Sequence, residues 1–173
     1  KGVVAVVGTY GSSVTEASQS IYDESKILQV ATGSTNVLRE LLTQGYTVVA
    51  PDYRGSTGYG REFHDAIDYG GYEVDDAMSA YDYLVRSVPA VDSARVGMMG
   101  WSHGGYITLL SVFRDEHPFK AGAAIVPVTN LLYRLSRKGP SYQWDFSTQK
   151  RIQGLPFSES PELIASVSLA ISR

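Results

Sequence analysis

Residues 96–110 read VGMMGWSHGGYITLL, and the fold is decided there. A short apolar run comes first, then a serine bracketed by glycines, then a second apolar run. The first run is too short for a helix and, taken as RVGMMG (95–100), predicts a strand. Residues 103–116 predict a helix with Ile107, Leu110 and Phe113 turned inward. A strand and a helix so close in sequence require a sharp turn at Ser102. Gly100 and Gly104 flank it at positions where side chains would clash across such a turn. A serine placed there stands exposed at the C-terminal edge of a sheet, the position of a nucleophile. The same five residues have a second reading: a glycine-rich connection in which Ser102 caps the helix.

Working outward, short apolar runs alternate with amphipathic ones. Val3–Val7 and YTVVA (46–50) predict strands, and AGAAIV (121–126) predicts another. From Ser34 the pattern turns helical, with Val37, Leu38, Leu41 and Leu42 on one face and Gly45 as its stop. Val74, Ala77, Met78, Tyr81, Leu84 and Val85 form a second helical stripe that leaves Asp75, Asp76 and Asp82 outside it. Pro89 ends that helix, and DYRGSTGYG (52–60) is loop. Strands that are apolar on both faces, alternating with helices, predict an α/β fold: a mostly parallel sheet with helices on both faces. After Pro127 the pattern weakens. Residues 129–160 read as irregular and partly helical, and SPELIASVSLAIS (160–172) as a closing helix.

The chain of 173 residues is sized for one domain, 1–173. A net charge of −3 gives no footprint for nucleic acid, and RLSRK (134–138) reads as a solvated basic loop. No apolar stretch is long enough to span a bilayer, so no membrane partner is expected. The absence of cysteine removes disulfides and thiolate chemistry and favours a reducing compartment such as the cytoplasm. No metal or organic cofactor is implied, because no ligand cluster has suitable spacing.

A serine hydroxyl needs a base and its oxyanion needs donors. The backbone N–H of His103, at the start of a helix, is one donor. The second is expected from the loop after an earlier strand, which nominates GTYG (8–11) and within it Tyr10. That loop also reads as a plain glycine-rich surface turn.

PDYRGSTGYGREF (51–63), then DDAMSAYDYL inside a helix, then RVGMMGWSHGGY (95–106) together resemble the catalytic domain of the prolyl oligopeptidase family. RGSTGYG joined to GWSxGGY at this separation is far more discriminating than the serine pentapeptide alone. The resemblance is firm over 46–126 and thinner after 130. It implies a three-layer α/β-hydrolase fold, an acyl-enzyme on Ser102 and short peptides as substrates. A carboxylesterase of the same fold acting on esters is the related alternative. Here VVGTYGSS stands where relatives carry other glycine loops, so Val7 or Gly8 competes with Tyr10 for the oxyanion position. The resemblance also implies an apolar specificity pocket, which nominates Val128, Tyr133, Trp101 and Tyr106. Aromatics beside such a turn also serve simply to pack the helix on the sheet.

The family order is Ser, Asp, His, and this chain does not complete it. His103 adjoins the nucleophile, where its ring cannot readily turn back to the hydroxyl. His64 decorates a surface helix, and His117 ends the helix after the serine. Asp145 is the last Asp, and no His follows it. The expectation is therefore a partial α/β-hydrolase domain, incomplete at its C-terminal side. It would be completed by a further C-terminal segment, a preceding domain or a homo-oligomer partner. The competing reading is a catalytically incomplete fragment serving as an interaction module.

Overall fold

The computed structural model describes residues 3–6 and 35–147. Four strands, β1 (Val3–Val6), β2 (Thr47–Val49), β3 (Val96–Trp101) and β4 (Ala121–Ile125), form one wholly parallel sheet in the order β2-β1-β3-β4. The helices are α1 (Thr35–Thr43), α2 (Arg61–His64), α3 (Tyr72–Ser87), α4 (His103–Val112), α5 (Leu131–Ser136) and α6 (Pro140–Ser147). Val7, Gly8, Tyr10 and the expected closing helix at 160–172 lie outside the described residues.

Contacts divide the chain into two compact units. The first holds residues up to Tyr53 and Val74–Pro127, and the second holds Arg54–Glu73 and the chain from Val128.

In the first unit the sheet has a helix layer on each face, and the strand residues show why. Neighbouring residues of a strand point to opposite faces. Met98 joins a core of Tyr53, Val74, Ala77, Leu84, Val96, Ile107 and Phe119, whereas Met99 packs with Leu38, Val48, Leu41 and Leu42. Val48 and Val49 divide in the same way. The amphipathic stripe of α3 and the largely buried α4 therefore cover one face, and the stripe of α1 covers the other. Each fully buried Leu or Ile in these clusters contributes about 1.5–3 kcal/mol. Helix α1 stops at Gly45, whose φ of 83° lets Tyr46 N–H reach the Leu41 carbonyl and Gly45 N–H the Leu42 carbonyl.

Three expectations need correction. Helix α4 ends at Val112, not at residue 116, with Phe113 as its cap. Phe113 has left the helical register and is 57% exposed instead of facing the sheet. Strand β4 ends at Ile125, because Val126 turns out of the extended region.

The second unit contains α5 and α6. RLSRK, expected as a solvated loop, forms the end of α5 and its cap region. The Arg134 guanidinium donates to the Tyr142 hydroxyl at 2.9 and 3.1 Å, and Arg137 lies over the Tyr133 ring. These aromatic partners engage two of the basic side chains, which is why the segment is not a free loop. Ahead of α3, the Asp68 carboxylate accepts from Tyr72 N–H at 2.7 Å, which supplies a helix-start cap. Tyr69 is buried there and packs edge-on against Phe146.

Candidate active site

The sheet order reverses direction between β1 and β3. From β1 the chain moves to β2 on one side, and β3 then continues to β4 on the other. In parallel α/β sheets, the crevice beyond the C-terminal strand ends at such a reversal is where ligands bind. Ser102 stands at that edge, one residue past β3.

Its backbone is in the left-handed region, φ 52° and ψ −111°. That geometry costs an L-residue on the order of 1–3 kcal/mol and persists only where surrounding contacts enforce it. The contacts here are specific. Ser102 N–H donates to the Ile125 carbonyl at 2.9 Å, which extends the β3–β4 ladder by one bond. Ser102 carbonyl accepts from Tyr106 N–H at 3.0 Å, which starts α4. The serine thus belongs to the strand through its N–H and to the helix through its carbonyl. Its side chain is exposed and makes no capping hydrogen bond. The capping-serine alternative is therefore set aside, since the hydroxyl is not spent on the helix start.

The close approach in this turn falls on Gly105. A Cβ there would lie 3.0 Å from the Pro127 Cβ and 3.1 Å from the Gly100 carbonyl oxygen. Gly100 and Gly104 are both buried within the turn. The requirement for a glycine against Pro127 was missed in the sequence. Its signal was the doubled glycine of HGG, since a pentapeptide elbow needs only the first.

His103 is the first residue of α4, so its N–H is among those that lack an intrahelical acceptor. Its ring packs between two tyrosines, with centroids 5.8 Å from Tyr53 and 5.7 Å from Tyr106, and Nε2 is shut off from solvent. That ring is part of the packing beneath the turn. His64 bonds the adjacent Asp65 at 2.9 Å and belongs to the second unit. His117 stacks near Phe119, beyond the far end of α4. Ten helical residues rise about 15 Å, so that end of α4 is remote from Ser102. Asp145 lies on α6 and not after a strand; its side chain is outside what the structure describes.

The four pocket candidates separate. Trp101 is half-buried as the last residue of β3, opposite Ile125. Tyr106 is 0% exposed, so the expectation of a substrate-facing Tyr106 gives way to a core position. The reason is its place in the first turn of α4, on the face that packs inward beside Ile107. Val128 is buried and Tyr133 exposed, both in the second unit. Among the described residues, no three His, Asp or Glu side chains gather as a metal ion would require. No described helix is long and apolar enough to cross a membrane.

Comparison with known proteins gives a consistent picture. The prolyl oligopeptidase family profile matches residues 34–155. Dipeptidyl peptidase 8 of Mus musculus is 38% identical over 94 residues, covering 53% of this chain and 10% of that protein. Dipeptidyl-peptidase 5 of Porphyromonas gingivalis is 31% identical over 139 residues, covering 78% of this chain and 19% of that protein. The chain thus spans a small part of the length of these curated relatives. Among solved structures, dipeptidyl peptidase 4 of Porphyromonas gingivalis superposes with a TM-score of 0.62 at 27% identity, over 98% of this chain and 21% of that one. A puromycin-hydrolyzing peptidase of Mycobacterium tuberculosis gives 0.64 at 25% identity, over 96% and 24%. The α/β-hydrolase fold expected from the sequence is the fold of these peptidases.

Proposed function

Since the chain belongs to the prolyl oligopeptidase family, we propose that it carries the nucleophile of a serine peptidase, which cleaves short peptides through an acyl-enzyme on Ser102. One observation carries the reading: an exposed, uncapped serine held at φ 52° where the sheet order reverses. A serine held strained and exposed on a sharp strand-to-helix turn is the arrangement a nucleophile elbow requires.

In this mechanism the Ser102 hydroxyl oxygen attacks the scissile carbonyl carbon as a base removes the hydroxyl proton. The negative charge that develops on the carbonyl oxygen is received by His103 N–H at the positive end of α4. Gly8 and Tyr10 are the nominees for the second donor. Val6 pairs with Met99, so the chain leaves β1 beside the strand that leads to Ser102. Collapse of the tetrahedral species breaks the C–N bond, and the amine departs with the proton from the base. Water then cleaves the ester, returning the proton to Ser102 through the same base.

The positions of the three histidines lead to a further element of the proposal. His103 is engaged between tyrosines, His64 with Asp65, and His117 beyond the far end of α4. The base is an imidazole contributed from outside these residues, by polypeptide continuous with them or by a partner.

A fluorophosphonate probe tests the reading on the polypeptide as encoded in its gene. The expected result is a single label that maps to Ser102 and disappears in Ser102→Ala. Hydrolysis of peptide amides that disappears in Ser102→Ala identifies a peptidase, whereas hydrolysis of the matched esters alone identifies an esterase. Label that persists in Ser102→Ala overturns the assignment.

A further inference from the structure

One planar peptide joins Ser102 to His103, and it holds both the Ser102 carbonyl and the His103 N–H. The direction of that N–H is set by ψ of Ser102, which is −111° in a residue whose φ is 52°. A strained residue relaxes unless its surroundings hold it, and relaxation here would swing the N–H with the plane. The backbone bond that fixes the plane is Tyr106 N–H to the Ser102 carbonyl at 3.0 Å. That bond closes a turn containing Gly104 and Gly105, and glycine is among the weakest helix formers. The turn that aims the donor is therefore the least self-supporting part of α4.

Two contacts from other parts of the first unit brace it. From the chain leaving β4, Pro127 meets Gly105. From the chain leaving β2, Tyr53 packs its ring on that of His103, with centroids 5.8 Å apart. The His103 ring meets Tyr106 three residues on at 5.7 Å, so the two side chains on either side of the glycines touch each other. Tyr53 is itself anchored: it is buried in the main core with Val74, Met98 and Ile107. Three rings in a row thus tie the start of α4 to the core.

We propose that Tyr53 is a positioning residue for acyl transfer: its ring, packed on His103, keeps the first turn of α4 closed and the His103 N–H aimed at the oxyanion. The inference rests on the acyl-enzyme reading of Ser102 and adds a residue that touches neither substrate nor the reacting atoms. Loss of an oxyanion donor costs about 10²–10³ in kcat, and a displacement of about 1 Å costs up to about 10²-fold. A donor loosened but still present is expected to cost about 10-fold or more.

The test uses the polypeptide as encoded in its gene, with Tyr53→Leu and Tyr53→Phe. Leucine keeps the site filled and apolar, and phenylalanine keeps the flat ring. Fluorophosphonate labelling run to completion counts competent sites, so turnover of a peptide p-nitroanilide is expressed per labelled Ser102. Tyr53→Leu is expected to lower kcat per labelled site by about 10-fold or more with KM within about 2-fold, the pattern of an interaction made in the transition state. Tyr53→Phe is expected to restore most of that loss. A purely structural role reduces the number of labelled sites and leaves kcat per site at the parent value, which overturns the proposal. So does a raised KM with kcat unchanged, or a Tyr53→Phe as slow as Tyr53→Leu. Label absent from Tyr53→Leu but present in the parent also overturns it, since Tyr53 then upholds the turn itself. A parent that takes no label at Ser102 overturns the acyl-enzyme reading, and this proposal with it.

Discussion

Gly105 and Pro127 meet so closely that a Cβ on the glycine would lie 3.0 Å from the proline Cβ and 3.1 Å from its Cα. The contact fastens the start of α4 to the chain leaving β4, with Ser102 held between them by its own hydrogen bond to Ile125. Neither obstacle can move cheaply, since one is a backbone atom and the other part of a ring.

Gly105→Ala is accordingly expected to destabilise the protein by about 1–3 kcal/mol, the cost of overpacking a closed site. The alanine's higher helix propensity, worth about 1 kcal/mol, works in the opposite direction and does not offset a contact of that kind. Thermal unfolding of the variant beside the parent checks this. A variant that melts higher would show that Pro127 yields.

At Ser102 strain and chemistry separate by substitution. Ser102→Gly and Ser102→Ala both remove the hydroxyl, but only glycine accepts a φ of 52° without penalty. The glycine variant is expected to be about 1 kcal/mol more stable than the alanine variant. Across single domains of ordinary size that is a difference in Tm of roughly 2–8 °C. Equal melting temperatures would mean that the turn is not strained in solution.

Much of this was legible in the sequence. The strands around 96 and 121, the α3 stripe and the strand–turn–helix at Ser102 all follow from apolar periodicity broken by glycine and proline. What escaped depended on contacts between distant residues. The glycine requirement was assigned to 100 and 104 because local turn sterics demand it there. That at 105 comes from Pro127, which lies far along the chain and announces nothing locally. Phe113 kept the helical period in sequence, yet the helix had already ended. Tyr106 resembled a pocket residue, although its place in the first turn of α4 turns it inward. Asp145 and the segment beyond Pro127 carried no clear period.

The α3–α4 region offers a comparison of forces. Arg114 reaches Asp75 at 2.7 Å, and both side chains are substantially exposed. Surface pairs of this kind contribute about 0–1 kcal/mol, so Asp75→Ala is expected to lower stability by less than 1 kcal/mol. Leu84, on the buried face of the same helix, is 1% exposed within the main cluster. Leu84→Ala is expected to cost about 2–5 kcal/mol through lost burial and the cavity left behind. Denaturant unfolding of the two variants distinguishes them, and similar midpoints would contradict the packing described for that face.

Alkaline pH gives a test confined to the second unit. Burial pushes the Tyr69 phenol well above its ordinary range; Tyr142 adds to the shift, Arg134 opposes it, and Glu73 adds least. The folded protein therefore holds the phenol proton at a pH where the unfolded chain releases it. A group raised in this way contributes stability that is fully present below its unfolded value of about 10 and is lost as pH rises through and beyond it. Tyr69→Phe retains the ring that packs on Phe146 and removes the titrating hydroxyl. The parent is expected to lose stability more steeply than Tyr69→Phe between roughly pH 10 and 11.5, while the difference between them stays constant from pH 7 to 9. Urea midpoints across that range measure it. Parallel curves above pH 10 would show that Tyr69 ionises as freely in the fold as in the unfolded chain.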